Sequence, residues 1–577
     1  MLIGGVPLFL CMPPWNDVTL HDMAARAILR GGVHYRDVFD TNLPGIDWAM
    51  ALIRAAFGWG YEVLRAFDLL VVGATVAVLC LWVRRAGGTS SSVAWFVAAA
   101  AMFYPFTSEF SHVQRDPWMA LPAVVAAWLR VRCIMPSEPE RQRGDAPRSE
   151  TAKAADARRG VRTADLAGAR ARISPSLLEG FVWGLAVWVK PHVVVPALAV
   201  WLASVVFLKR AHRSVKHDLL ALLAGGVLAG SPGVAWLVGT GAWPHFVDVF
   251  TNWNPDYVAD GLASMSGRVS IIFDCFRPWS LLNLAAIPLA LAWLWKRRDP
   301  ARCVLAALYL GFLFQGVVIQ KGFDYVHVAE TLMAMAIVAS AGWAVGFGYL
   351  VWFLAAAALL TLGDAVPFVR PVVNVLDPAS PAVKFERHPL LDPNVLELWP
   401  RCWREGNSAS LRDKLGVYTD VHVGTTWVDL ERVAAFLRAV EPPLGDRELT
   451  CWHDSTHPLY LMLNLEPSTR YMHFGTAMDI RKQAARIAAE VAASPQRYVV
   501  SDLRRVTWDK QLPLEPGPGG DPLKLPAWFP LSQRDRFPWN QPIVFRAGRY
   551  VVHKMSVPPG VIDVPAWNTL DTLGPGE

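Results

Sequence analysis

The chain has 577 residues, of which 53 % are hydrophobic and only 18 % charged, too few charges for an ordinary soluble protein. The apolar residues fall in separate long runs, so the composition points to a polytopic membrane protein and away from a single large soluble core. The net charge of +6 comes from basic residues gathered at the ends of apolar runs, a membrane-orientation signature, so nucleic acid is not an expected partner.

Residues 1–14 are apolar but reach only roughly 21 Å as a helix, against about 30 Å of hydrocarbon. They read as the outer end of a first transmembrane helix that stops at Pro13-Pro14, and its start is left open. The stretch from Trp15 to Trp48 is polar and holds Asp17, Asp22, Asp37, Asp40 and Asp47, an amphipathic helix Val18–Arg30 and a Pro44-Gly45 turn. The plain reading is a solvated loop. Carboxylates beside a bilayer are costly unless they face water or act there. An interfacial helix, Ile46–Phe57, breaks at Gly58 and Gly60.

Spans are expected at about Glu62–Val83, Ser91–Phe110 and Pro117–Val131, with Arg84-Arg85 and Arg130 with Arg132 at their ends. Residues 134–176 are rich in Arg, Ala, Glu, Asp and Pro and read as a flexible cytoplasmic insert. Leu177–Leu208 makes two short helices interrupted at Lys190-Pro191-His192. Further spans fall near Leu219–Val238, Trp279–Trp295, Ala301–Ile319, His327–Val345 and Tyr349–Leu362. Placing the basic clusters at 84–85, 130–132, 209–210 and 296–298 on one side works with about eleven spans. The loop 15–61, the segment 241–278 and everything after 363 then lie outside.

The expected fold is therefore a polytopic α-helical membrane domain over 1–363, followed by a small extracytoplasmic α/β domain over 364–577 behind a Pro-rich linker. In that domain Thr425-Thr426 cap a helix Val428–Val440. Strands are expected at Glu448–Trp452, Arg497–Ser501, Ile543–Phe545 and Tyr550–His553, with helices His457–Leu463 and Ala477–Ala493. There is no GxGxxG, P-loop or GxSxG motif. The seven cysteines have no metal-ligand spacing; Cys402 and Cys451 are open to pairing or to remaining free thiols.

Grouped by side, the unusual polar residues converge. Asp17, Glu109, Arg115, Asp116, Lys190, His192, Lys321, Tyr325 and His327 all fall outside or at outer helix ends. Singly, each has a plain explanation: a solvated helix start, a snorkelling lysine or a satisfied interfacial histidine. Together they describe a cleft with carboxylates for acid–base work or for a divalent ion, and cations for a phosphate at membrane depth.

The first outer loop carries an opening acidic residue (Asp17), then Ala25-Arg26-Ala27-Ile28-Leu29, Gly31-Gly32, Tyr35-Arg36-Asp37 and Asn42-Leu43-Pro44-Gly45. In this it resembles the GT-C glycosyltransferase superfamily, in particular bacterial proteins similar to dolichyl-phosphate-mannose–protein mannosyltransferases. The segment Gln320 to His327 resembles a K-G-x-x-Y-x-H segment of some bacterial members. The resemblance implies an inverting transferase of the bacterial cytoplasmic membrane. Its donor would be a polyprenyl-phosphate-linked sugar and its acceptor a hydroxyl of a glycan, lipid or protein, with membrane lipids as further partners. Asp17 takes the family's catalytic acidic position and Glu109 its partner, with Arg115 and Lys321 on the lipid phosphate and His192 and His327 as further contacts. A divalent cation, Mg²⁺ or Mn²⁺, is left open, because Val18 follows Asp17 where an Asp-Glu pair is frequent. A transporter or flippase, and a polysaccharide polymerase or ligase, are the competing classes. The charges sit near span ends and no internal repeat is found, which weighs against the transporter.

Overall fold

The computed structural model describes residues 2–135, 161–262, 271–273, 275–320, 323–342, 346, 348, 350–355, 395–416, 424–474, 483–506, 521–556 and 562, with side chains left undescribed at 2–5, 161–174, 259–262 and 395–396. Two apolar helices set the pattern of the membrane part: α1 (Leu2–Cys11) ends at the Pro13-Pro14 break, and α4 (Tyr61–Arg85) is long enough to cross a bilayer. Between them lie α2 (Asn16–Leu29) and α3 (Gly45–Phe57). α5 (Ser90–Phe103) starts on a reciprocal Thr89–Ser92 capping box. It is followed by α6 (Arg115–Ile134), α7 (Val161–Val189), α8 (Val194–Arg210) and α9 (Val215–Gly239). α10 (Asn283–Lys296), α11 (Pro300–Phe314) and α12 (Val328–Ser340) follow. α11 opens with Pro300 at its first position and the Asp299 carboxylate accepting from Ala301 N.

Among the described residues, six helical segments are long and apolar enough to span a membrane: Tyr61–Arg85, Arg115–Ile134, Pro191–Arg210, Val215–Gly239, Trp279–Lys296 and Pro300–Ile319. Ser90–Phe106 and Pro175–Val189 are shorter apolar helices. All thirteen residues of α12 are buried, which fits a helix apolar on every side held at the centre of a bundle. The break at Lys190-Pro191 falls where the sequence places it: Lys190 is extended (φ −156°, ψ 115°), as the ring of a following proline requires. α7 begins inside the segment 134–176, of which residues 136–160 lie outside the described set. The span expected at Tyr349–Leu362 is described only at 350–355.

One basic end proves to be internal. Arg130 is fully buried, its Nε 2.8 Å from Glu179 Oε2 and its Nη1 2.7 Å from Asp218 Oδ2, so it ties α6 to α7 and α9. Arg132 alone of that pair is exposed.

The polar part is a four-stranded sheet of β1 (Leu449–Cys451), β2 (Tyr498–Asp502), β3 (Ile543–Ala547) and β4 (Tyr550–Lys554), ordered β1-β2-β4-β3. β1 and β2 are parallel and the other pairings antiparallel. The helix Trp427–Arg438 covers the sheet, but its N-terminal N–H groups at Trp427 and Val428 are capped by the Asp413 carboxylate and not by Thr425 or Thr426. Ala484–Ala493 is the described part of the helix expected at 477–493. Cys402 and Cys451 are both free and buried. Cys402 packs with the membrane core beside α1, while Cys451 is in β1.

The acidic loop is not solvated. Ten of the fourteen residues of α2 are buried, because it is covered on two sides. Val18 and Ala25 pack with Ile46, Met50 and Trp118 of the membrane part. Leu20, Met23, Ala24 and Val38 join the core of the sheet domain with Leu430, Leu437, Tyr460 and Val552. Arg26 donates to the carbonyl oxygens of Tyr460 and Leu465. Asp22 faces the other way from the sheet domain and takes a bidentate pair from Arg54 of α3 (2.8 and 2.5 Å).

Candidate active site at the outer helix ends

Asp17 sits in the first turn of α2, where the partial positive charge of the helix end favours a carboxylate. Its side chain is 31 % exposed, in contrast to the fully buried Asp22 one and a half turns on. Gln114 Nε2 donates to Asp17 Oδ2 (3.4 Å). His473 Nε2, from the sheet domain, lies 4.0 Å from Asp17 Oδ1.

The turn that presents Gln114 and Arg115 is strained and held. Val113 has φ +58°, a costly left-handed conformation for a β-branched residue. A buried carboxylate in α4, Asp68, accepts from Val113 N (3.0 Å), Trp118 Nε1 (2.7 Å) and Tyr104 Oη (2.7 Å). Those three bonds fix the entry into α6, so Arg115 and Asp116 stand at its N-terminus. Arg115 Nε has no hydrogen-bond partner among the described residues.

Lys190, at the α7 break, is buried and its ammonium bonds the Asp116 carboxylate at 2.5 Å. The same ammonium lies 5.8 Å from the centre of the Tyr325 ring, which packs on Phe110 and Phe323. The negative charge of Asp17 is felt at both Lys190 and Tyr325. Asp17, Gln114, Arg115, Asp116, Lys190 and Tyr325 therefore form one cluster. Glu109 is buried and acts electrostatically on Arg65. His327 is tied to Glu330 (Nδ1 to Oε1, 2.7 Å) and His192 is half-buried. Lys321 lies outside the described residues.

The sheet domain adds groups that no motif marks. His473 Nδ1 lies 3.8 Å from Asp454 Oδ1, and Arg505 Nη2 donates to Asp454 Oδ2 at 2.9 Å. Burial opposes charge on Asp454, but Arg505 together with His473, His457 and His453 holds its carboxyl well below the usual range. Asp454 is thus a fixed anion behind His473.

One turn along α2 from Asp17, His21, Asp40 and Asp47 form a buried group whose ligand atoms all lie within 4.8 Å of one another, a set that can hold a metal ion. Burial also opposes charge on Asp40, but His21, Arg115 and His34 hold its pKa below the ordinary value. This group and the Arg115 end of α6 are therefore electrostatic neighbours.

The architecture is a polytopic α-helical membrane part with a small α/β domain. Among solved structures the chain is similar to ArnT from Cupriavidus metallidurans bound to undecaprenyl phosphate, with a TM-score of 0.55 and 12 % identity over 96 % of this chain and 95 % of that one. It is similar also to the apo state of that protein, with a TM-score of 0.51 and 13 % identity over 95 % of each chain. The Archaeoglobus fulgidus oligosaccharyltransferase tethered with an acceptor peptide matches at a TM-score of 0.41 and 12 % identity, over 88 % of this chain and 69 % of that one. At these identities the likeness is one of fold, and it does not single out the mannosyltransferase branch. No protein-family model matches the chain, and no curated protein matches it in sequence.

Proposed function

We propose that the chain is an inverting glycosyltransferase that moves a sugar from a polyprenyl-phosphate donor to a hydroxyl acceptor at the outer face of the membrane. The observation that carries this reading is the setting of Asp17. A part-exposed carboxylate faces Gln114 and His473, beside the cations Arg115 and Lys190 at the outer helix ends. The likeness of fold to a protein bound to undecaprenyl phosphate supports the donor class.

In this reading Asp17 accepts the proton of the acceptor hydroxyl as its oxygen attacks the anomeric carbon from the face opposite the phosphate. The bond from that carbon to the phosphate oxygen breaks, and polyprenyl phosphate leaves with the electron pair. Arg115, Lys190 and Lys321 offset the charge left on the phosphate. Asp116 holds Lys190 in place and Tyr325 walls the same spot; His192 and His327 lie within reach of the Asp116 charge, and Glu109 assists or orients Asp17.

The test uses the full-length protein in liposomes loaded with a polyprenyl-phosphate sugar and measures release of free polyprenyl phosphate. Asp17→Asn should lower release by about 10²–10⁴-fold, the usual contribution of a general base, at an unchanged yield of folded protein. Near-wild-type release from that variant would overturn the role of Asp17. No release from the wild type with any sugar donor would overturn the reaction.

A further inference from the structure

Two helices far apart in the chain meet at a pair of sulfurs. α1 buries Leu8, Cys11 and Met12 together. The helix Val395–Glu405 is amphipathic: Leu398 and Cys402, four residues apart, are buried, while Trp399 and Trp403 are 41 % and 68 % exposed. The buried residues of both helices belong to one apolar core, and the Cys11 thiol donates to the Cys402 carbonyl oxygen at 3.9 Å. We propose that Cys11 and Cys402 are a modification site, oxidised to a disulfide that ties α1 to the helix leading into the sheet domain.

The two side chains face each other. Contact with Cys11 is the foremost cause that pushes the Cys402 thiol up, ahead of burial. Other thiols face different groups. Cys133 accepts from Ser176 Oγ (3.9 Å), Cys303 donates to Trp293 O (3.2 Å), and Cys451 touches Thr456 and Tyr460. Cys402 and Cys451 also lie in separate cores, so the partner of Cys402 is Cys11.

Place and chemistry agree. Cys11 is two residues before the Pro13-Pro14 break, on the outer side in the topology that the basic clusters set. Disulfides form and persist outside the cytoplasm. One thiolate attacks a disulfide of the thiol-oxidant class, releasing one donor thiol and leaving a mixed disulfide. The second thiolate attacks the protein sulfur of that mixed disulfide, so the Sγ–Sγ bond forms and the other donor thiol leaves. The protons lost by the two cysteines end on the two donor sulfurs; the cysteines are oxidised and the donor disulfide is reduced.

The bond acts at the joint between the two parts of the molecule. α1 runs through Trp15 into α2 and Asp17. The helix Val395–Glu405 is followed by Ala409–Leu415, whose Leu411 and Leu415 enter the same core and whose Asp413 caps the helix on the sheet. Arg412 stands over the rings of Tyr61 in α4 (4.5 Å) and Trp427 (4.7 Å). A link between residues 391 apart restrains the unfolded chain and holds this joint in the fold. It does not depend on the transfer reaction proposed for the chain.

The test is mass spectrometry of the full-length protein in detergent, after incubation with oxidised glutathione, unfolding in SDS and alkylation of the remaining thiols. A linked Cys11–Cys402 peptide pair, lighter by two hydrogens than the two thiol peptides and lost on reduction, is expected in most chains. Both cysteines alkylated, both carrying glutathione, or a Cys402–Cys451 link would overturn the proposal. Thermal unfolding gives a second readout. Oxidised wild type should unfold at a higher temperature than reduced wild type, a difference abolished in Cys11→Ser and kept in Cys451→Ser. A difference that survives in Cys11→Ser, or that disappears in Cys451→Ser, would overturn the tie between α1 and the Cys402 helix. If Cys11→Ser does not fold, the peptide map of the wild type decides.

Discussion

His473 of the sheet domain places its Nε2 4.0 Å from Asp17 Oδ1 and its Nδ1 3.8 Å from Asp454 Oδ1, so its ring stands between two carboxylates that are far apart in the chain. Asp454 is itself pinned by Arg505. The sheet domain thus reaches into the site that the membrane helices build, and the core shared by α2 with Leu430 and Val552 fixes that contact.

His473 is accordingly expected to hold Asp17 in position. His473→Ala should lower the turnover of polyprenyl-phosphate sugar by about tenfold, which is about 1.4 kcal/mol. The measurement that separates this from simple destabilisation is rescue by the conservative variant. His473→Gln should keep turnover closer to the wild type than His473→Ala at an equal folded yield. Equal losses in the two variants would assign His473 a packing role only.

Arg130 gives a stability prediction independent of catalysis. Arg130→Ala leaves Glu179 and Asp218 buried without their cation, which costs about 3–5 kcal/mol when one partner of such a set is removed. Arg132→Ala, two residues on and exposed, should stay within about 0.5 kcal/mol. Thermal unfolding in detergent, followed by size-exclusion chromatography, compares the two. Equal midpoints would show that the buried ion pairs do not support the bundle.

Apolar run length and prolines made much of the membrane part legible, including the Lys190-Pro191 break, and alternation with turn residues located all four strands. Those signals report an element and its boundaries but not what covers it. Hence α2 read as solvated although two cores enclose it, and Arg130 read as a surface charge although its partners come from two other helices. Asp17 stands out in the sequence because it opens a polar loop with a recognisable motif. Asp68 does not, since a single carboxylate inside an apolar run does not announce that it holds Val113 in place. His473 carried no signal at all, because its role arises only when two distant parts of the chain pack together.

Two buried histidines, His453 and His553, contribute to the acid sensitivity of the sheet domain. His453 Nδ1 accepts from Asp502 N (2.9 Å), so that nitrogen is unprotonated. His553 Nδ1 donates to Gln541 O (3.2 Å), so its Nε2 accepts from Ser501 Oγ (2.7 Å). Burial pushes His453 down to about 3 and His553 down to about 4. An unfolded histidine protonates near pH 6.5. Between those values the unfolded chain binds more protons than the fold, so the stabilisation is complete above about pH 6.5 and is lost as pH falls toward 3. Protection factors of the β2 and β4 amides in the full-length protein, that is exchange rates divided by the intrinsic rate at each pH, should fall across that window. His553→Gln should flatten the dependence by up to about 1.4 kcal/mol per pH unit. Wild-type protection factors unchanged from pH 7 to pH 4 would contradict the assignment.

Lys190 has two roles to separate, because its ammonium both neutralises Asp116 and stands near the proposed phosphate position. Lys190→Met alone strands a buried carboxylate, so its folded yield should fall whatever it does for the donor. Adding Asp116→Leu removes the stranded charge, and replacing both members of a buried pair with apolar residues is often neutral in stability. The double variant should therefore recover the thermal midpoint of the wild type. Its affinity for a polyprenyl-phosphate sugar should still fall by about tenfold, since about 1.4 kcal/mol of charge compensation is a modest share of a phosphate contact. Recovery of both midpoint and affinity would reduce Lys190 to a tie between α6 and the α7 break, leaving Arg115 as the cation that meets the phosphate.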